Sequence, residues 1–266
     1  MTQLDGLVAL VTGGARGLGW AAANALARAG AEVILSSRSA AVVDEAVQRL
    51  RETGAAAHGV VLDVTVPESI EAAVADAVRL GGGRLDVLVN NAGGGSGQSP
   101  AWLPDRAVSD IEESLRVNLL GPILVCREAA PIMMAQRSGS IISIASVAGH
   151  VGRDRRIYDA NGMLGQPIDY AAAKAGISGM TRDLAAMLGP YGVRANAISP
   201  GGFAAEGHPT GFVSDYARLT ALGRMGHDGG GSGSDLDGAI VFLAGSASAY
   251  VTGQDIVVDG GFTLTR

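Results

Sequence analysis

Cysteine is almost missing from these 266 residues. Cys126 stands alone, so no internal disulfide can form, and no metal-ligating neighbour lies at a suitable spacing. It falls in an apolar helical run, which predicts a small core residue and no metal site. An excess of positive charge is missing too: 20 basic against 26 acidic side chains leave a net charge of −6. That balance argues against nucleic acid or an anionic membrane as a main partner. The charges are not gathered into blocks, so no acidic or basic tail is expected. No apolar window reaches the length of a membrane span, and MTQLDGLVALVTGG has no charged stretch leading into a long apolar one. A cytoplasmic protein is the expectation. Internal repeats and interdomain linkers are absent as well, so residues 1–266 are read as one large domain.

Hydrophobic residues make up 47% of the chain and charged residues 17%, and the apolar pattern alternates strand with helix. Strands are expected near 7–11, 32–35, 57–62, 85–89, 140–144, 194–198 and 256–258. Helices are expected up to about Ala29, then over 42–52, 67–79, 109–136, 170–188 and 235–243, with Pro122 and Pro131 as kinks in the longest. Strict β/α alternation with buried apolar strands predicts a Rossmann-type, doubly wound parallel α/β sheet of about seven strands, with helices on both faces. Residues 228–234, Asp-Gly-Gly-Gly-Ser-Gly-Ser, read as a flexible loop.

The first strand runs into Thr12-Gly13-Gly14-Ala15-Arg16-Gly17-Leu18-Gly19. Glycines at 13, 17 and 19 let the backbone turn sharply and approach a ligand. The following helix N-terminus offers unpaired N–H groups and a partial positive charge, which together make a pyrophosphate site. Past the second strand, an NAD-selective site would place a carboxylate on the ribose hydroxyls. Here the residues are Leu35-Ser36-Ser37-Arg38-Ser39. Arg38 offers a fork suited to a 2′-phosphate, with Ser37 beside it, so NADP(H) is expected in preference to NAD(H), which stays possible. Arg16 adds positive potential. Further on, Tyr170 and Lys174 stand four apart on a predicted helix, so both project from one face. A cation beside a phenol favours the phenolate and makes tyrosine a usable acid/base.

These motifs, taken in order with Leu62-Asp63-Val64, Asn90-Asn91-Ala92-Gly93, Asn118 in VNLLG, Ser146 in SIASVAG and Pro200-Gly201, resemble the short-chain dehydrogenases/reductases of the classical type. The likeness spans nearly the whole chain and is nearest to gluconate 5-dehydrogenase-like and acyl-carrier-protein-reductase-like members. It implies a catalytic set of Asn118, Ser146, Tyr170 and Lys174. It also implies cofactor contacts at Gly13, Gly17, Leu18, Gly19, Asp63, Val64, Asn90, Ala92, Gly93, Pro200 and Gly201, besides Tyr170 and Lys174. Asp63 would sit at the adenine. Ser146 would hydrogen-bond the reacting oxygen, while Ser143, inside the strand, points to the other face. Asn118 would anchor a water chain to Lys174. The family also implies a homotetramer or homodimer through the long helices.

Two departures stand out. Ala205 replaces the threonine that family members often place after Pro-Gly. A long segment, 150–167, separates Ser146 from Tyr170 and is read as a substrate-recognition lid, its Arg153, Arg155 and Arg156 favouring an anionic ligand. The expected activity is hydride transfer between nicotinamide and the carbonyl or secondary alcohol of a small polar, sugar-like or anionic molecule. The alternatives are a catalytically idle dinucleotide sensor and a 3-oxoacyl thioester reductase. A nucleotide-sugar epimerase or dehydratase would need more chain beyond the last strand.

Overall fold

Along each strand, successive side chains face opposite sides of the sheet, and here both sides are apolar. In β1 (Val8–Val11), Ala9 and Val11 pack on one face, Val8 and Leu10 on the other. A strand buried on both faces needs helices on both, and a parallel sheet provides them. The computed structural model describes residues 3–94, 101–229 and 233–265. Its seven parallel strands are β1, β2 (Glu32–Ser37), β3 (Ala57–Val61), β4 (Val87–Asn90), β5 (Gly139–Ile144), β6 (Val193–Pro200) and β9 (Asp255–Val258). Their spatial order is β3-β2-β1-β4-β5-β6-β9. The order reverses beside β1, with Val11 level with Leu35 on one side and Val89 on the other. A doubly wound sheet opens its ligand crevice at that reversal.

Three helices cover one face: α1 (Gly17–Arg28), α2 (Ala40–Glu52) and α9 (Asp237–Ala244), through Leu26, Leu50 and Leu243 among others. The opposite face carries α3 (Pro67–Leu80), α5 (Gly121–Gln136) and α7 (Ile168–Leu188), through Ile70, Val125, Met133 and Leu188. Cys126 is buried in this second layer, as its apolar surroundings in sequence predict.

The longest helix differs from its expected form. α4 (Val108–Leu115) passes through a π turn, Arg116–Leu120, into α5, so the irregularity precedes Pro122. Proline has no N–H to give the carbonyl four residues back, which belongs to Asn118, and the helix widens there instead of breaking. Pro131 lies inside α5 without ending it. The expectation that no apolar window is of membrane length is also corrected. By length and composition Val108–Gln136 could cross a membrane, but 44% of its most apolar window is buried inside the protein. Its Val125, Ala129 and Met133 are committed to the core.

The segment 150–167 is not a free lid. It folds a short helix, α6 (Arg156–Asp159), against α8 (Thr210–Ala217). Tyr158 meets Phe212 with ring centroids 5.1 Å apart, and the Asn161 amide donates to Asp215 at 3.0 Å. Neither α8 nor the small two-stranded sheet of β7 (Phe203–Ala204) and β8 (Gly226–His227) was legible in the sequence. Of the glycine-rich loop at 228–234, residues 230–232 lie outside the described residues.

Candidate active site

The first crossover builds a cradle from backbone alone. Gly13 and Gly17 hold φ of +63° and +54°, conformations that glycine takes without steric cost. A Cβ on Gly19 would stand 2.1 Å from the Gly13 carbonyl oxygen, so no other residue fits. Arg16 occupies the N-cap of α1 with no side-chain cap bond, and the first turn carries no acidic residue. The helix N–H groups are thus left for a ligand. Thr12 and Asn91, to which the sequence assigned no role, lock this cradle to the next loop. The Thr12 hydroxyl accepts from the N–H of Asn91 and of Ala92, both at 3.0 Å. The Asn91 amide donates to the carbonyls of Thr12 and Gly13, at 2.9 and 3.1 Å. Leu18 packs partly buried behind the turn.

At the end of β2, Ser37 is half-buried and Arg38 exposed. The Arg38 charge reaches Asp63, at the end of the neighbouring β3. The Asp63 carboxyl sits below its ordinary range, chiefly because the Thr65 hydroxyl donates to it, at 2.7 Å, with Arg38 as a lesser cause. Val64 is buried, and Gly121 passes so close that a Cβ there would lie 2.9 Å from its Cβ. Glycines and uncapped N–H groups on one strand end, and an exposed guanidinium on the next, are a donor set that fits a phosphorylated dinucleotide.

The Asn90 side chain turns to α5, where the amide donates to the Pro122 carbonyl at 3.4 Å and to the Cys126 sulfur at 3.1 Å. Burial pushes the Cys126 thiol up to about 12, so it stays protonated and inert. Beyond Asn90 the chain continues as a loop through Asn91, Ala92 and Gly93. Asn118 clamps that loop: its amide donates to the Gly94 carbonyl at 2.7 Å, and its Oδ1 accepts from the Gly94 N–H at 2.9 Å. A Cβ on Gly93 would meet that oxygen at 2.7 Å.

Ser146, Tyr170 and Lys174 converge at the C-terminal edge of the sheet. Ser146 caps the short turn Val147–Gly149 after β5, its oxygen accepting from the Ala148 N–H at 3.1 Å. Its hydroxyl proton is left to donate elsewhere. Gly149 lets this turn lie on α7, since a Cβ there would stand 2.7 Å from the Ala175 nitrogen. Ser143 is buried inside β5, as its position predicts. Tyr170 is 9% exposed. Burial raises its phenol above the ordinary value, against the Ser146 hydroxyl, the Arg153 charge and the Gln166 side chain, which all favour the ionised form. Lys174 is not among those opposing groups, so one expectation is corrected. Its ammonium donates to the Ile144 carbonyl at 2.7 Å and lies 5.7 Å from the Tyr170 ring centroid. Burial pushes Lys174 itself down to about 8. Lys174 loses its proton at a lower pH than the phenol does, so it is already neutral where Tyr170 ionises and does not favour the phenolate there.

Pro200 ends β6, and the N–H of Gly201 after it is bonded to the Val258 carbonyl at 2.9 Å. Ala205 is exposed beyond them and carries no polar group. Sequence reasoning gave no individual role to Gln166. Its side-chain oxygen accepts from Arg153 Nη1 at 2.8 Å, which leaves its NH2 as the part that favours the Tyr170 phenolate. Among the described residues no group of His, Cys, Asp and Glu could hold a metal ion.

Residues 13–263 match a family model described as enoyl-(acyl carrier protein) reductase. The chain is 36% identical to D-threitol dehydrogenase of Mycolicibacterium smegmatis, covering 98% of this chain and 95% of that protein. It is also 36% identical to a 3-oxoacyl-[acyl-carrier-protein] reductase of Thermotoga maritima, over 98% and 100% of the two chains. A solved gluconate 5-dehydrogenase from Burkholderia cenocepacia, in complex with NADP and tartrate, superposes with a TM-score of 0.86 at 34% identity, covering 98% of this chain and 97% of that one. With sequence and fold in agreement from end to end, the chain belongs to the short-chain dehydrogenases/reductases, oxidoreductases that move a hydride between a nicotinamide dinucleotide and an alcohol or carbonyl carbon.

Proposed function

We propose that the protein is an NADP(H)-dependent dehydrogenase/reductase of small polar molecules, with Tyr170 as the acid/base. The carrying observation is the meeting of Ser146, Tyr170 and Lys174 at one sheet edge, with Asn118 behind them. The dinucleotide, when bound, gives or takes the hydride. In the reductive direction Tyr170 passes its phenolic proton to the carbonyl oxygen as the carbon gains the hydride. Oxidation reverses both transfers. Ser146 donates a hydrogen bond to the same oxygen and so favours the charge that develops there. Lys174 holds ribose hydroxyls and returns protons. The Asn118 carbonyl, which Pro122 deprives of its helical donor, anchors the water that connects Lys174 to solvent.

Gly13, Arg16, Gly17, Leu18 and Gly19 hold the pyrophosphate. Ser37 and Arg38 take the 2′-phosphate, which sets NADP(H) above NAD(H). Asp63 and Val64 receive the adenine. The backbone at Asn90, Ala92, Gly93, Pro200 and Gly201 lines the nicotinamide end. One domain, residues 1–266, does all of this in the cytoplasm, as a dimer or tetramer built on α5 and α7. A second reading, reduction of 3-oxoacyl thioesters, has the support of the Thermotoga maritima relative.

The test is a screen of alcohols and carbonyls, 3-oxoacyl thioesters included, followed by nicotinamide absorbance with NADPH and NADH. On the best substrate, Tyr170→Phe should lower kcat by about 10²–10⁴-fold and leave NADPH binding intact. A variant that keeps more than a few per cent of wild-type activity would remove Tyr170 from the mechanism.

A further inference from the structure

The three arginines between Ser146 and Tyr170 have different fates. Arg156 is exposed and spends its charge on Asp154, with Nε and Nη2 at 2.8 and 2.7 Å from the carboxylate oxygens. Arg153 is half-buried, and its hydrogen bonds go to neutral acceptors. Nη1 donates to the Gln166 side chain at 2.8 Å and Nη2 to the Pro167 carbonyl at 3.2 Å. Among the described residues no acidic side chain lies within ion-pair distance of it, nor of Arg155. The undescribed stretch at 95–100 reads Gly-Ser-Gly-Gln-Ser-Pro and brings no acid either. Arg106, buried close by, is matched by Asp169 at 2.8 Å, whereas Arg194, half-buried on β6, bonds neutral acceptors too, the Ser248 hydroxyl and the carbonyls of Leu243 and Gly245. What sets Arg153 apart is its place beside Tyr170.

An unmatched guanidinium withdrawn from water is costly, and such charges are ordinarily paired. Burial indeed holds the Arg153 pKa below the usual arginine value, and the groups that act on it are tyrosines 158, 170 and 216 and a second cation, Arg155. Its position gives the cost a purpose. Pro167 caps α7 one turn before Tyr170, so the guanidinium stands beside the phenol that handles the proton. The wall around it is packed, Tyr158 lying against Phe212 with ring centroids 5.1 Å apart.

We propose that Arg153 is the anchor for a carboxylate on the substrate, so that the protein acts on small hydroxy acids or their keto forms in preference to neutral polyols. The inference rests on the oxidoreductase reading of the Tyr170 site. A planar carboxylate fits the free edge of a guanidinium fork with one unit of charge for one. A phosphate dianion would leave more negative charge than one partly occupied fork can match. With the reacting oxygen at Tyr170 and the carboxylate at Arg153, the two groups belong within a few bonds of each other.

Threitol, threonate and tartrate share a four-carbon skeleton and carry zero, one and two carboxylates. Each is titrated calorimetrically into the NADP⁺-loaded full-length protein, and turnover is measured in parallel. Threonate and tartrate should bind at least 10-fold more tightly than threitol. Arg153→Met, which keeps the packing stem, should weaken both acids by about 10- to 100-fold and leave threitol and NADPH affinity unchanged. Arg153→Lys should recover part of the loss. Equal affinity for all three in the wild type, or an equal loss for acid and polyol in Arg153→Met, would overturn the proposal. Turnover of threitol without any preference for acid would do so while leaving the oxidoreductase reading in place. Tight binding of the acids with no turnover of any compound in the wider screen would uphold the anchor and count against that reading.

Discussion

Lys174 bears an electrostatic cost in the crevice, and the cost has a pH signature. Its folded pKa, about 8, lies below the 10.5 of an unburied lysine. Below pH 8 both folded and unfolded states carry the proton, and the folded state bears the full desolvation penalty, roughly 3 kcal/mol at about 1.4 kcal/mol per unit. Between pH 8 and 10.5 the unfolded state holds more protons, so this contribution to stability rises with pH. Above 10.5 both states are neutral and the penalty is gone. Urea unfolding of the cofactor-free protein should therefore show Lys174→Met more stable than wild type at pH 7, less the bond to Ile144. That advantage should shrink from pH 8 to 10.5 and then level off. A difference that does not vary with pH would show that Lys174 is solvated. Arg38 is the second residue-scale test. Arg38→Ala should weaken NADPH about 10- to 100-fold, the worth of one charged contact, and leave NADH unchanged. Equal losses for both cofactors would take the 2′-phosphate away from Arg38.

At the scale of elements, α7 is set in place at its start. Asp169 precedes Tyr170 and is almost fully buried with Arg106, which reaches it with Nε at 3.2 Å and Nη2 at 2.8 Å. Arg106 comes from the turn ahead of α4, so this pair fixes the first turn of α7 against the longest helix. A buried pair adds little net stability, but breaking one strands the remaining charge. Asp169→Asn should cost about 3–5 kcal/mol in urea unfolding. It should also lower kcat more than it weakens NADPH binding, because the backbone it anchors carries the catalytic phenol. A change below 1 kcal/mol would mean that Arg106 finds other compensation. The segment 150–167 belongs to the same scale. It is a wall docked on α8, and Asn161 and Tyr158 hold it there.

For the molecule as a whole, an apolar surface is left among the described residues. Between α5 and α7 lies a groove of about 320 Å³ lined by Ile123, Cys126, Pro131, Met180, Leu184 and Met187. Ile123 is 41% and Met187 60% exposed. Contiguous apolar surface of this kind marks an interface, and two copies of a helix pair can cover each other about a two-fold axis. If the protein associates here, Met187→Glu should lower the mass measured by light scattering to that of a smaller species, with the fold preserved by circular dichroism. An unchanged mass would place the interface elsewhere.

Much of this was written in the chain, and the reason is local. Period-two and period-3.6 patterns, glycines at 13, 17 and 19, and a Tyr-Lys spacing of four depend on neighbours in sequence, so the alternation of strands and helices, the glycine turn after β1 and the shared helix face of Tyr170 and Lys174 were legible, while the spatial order of the strands was not. Even the π turn at Asn118 had a local sign, a proline four residues on. What needed the tertiary structure was whatever depends on packing across the sheet. Sequence cannot show that Lys174 spends its charge on the Ile144 carbonyl, that Asn90 turns to Cys126, or that Arg156 is paired while Arg153 is not. Two-residue strands and α8 carry too short a pattern to be read at all. Burial and pairing are sums over residues distant in the chain, and those sums decide the pKa of each group and which charges remain for a substrate.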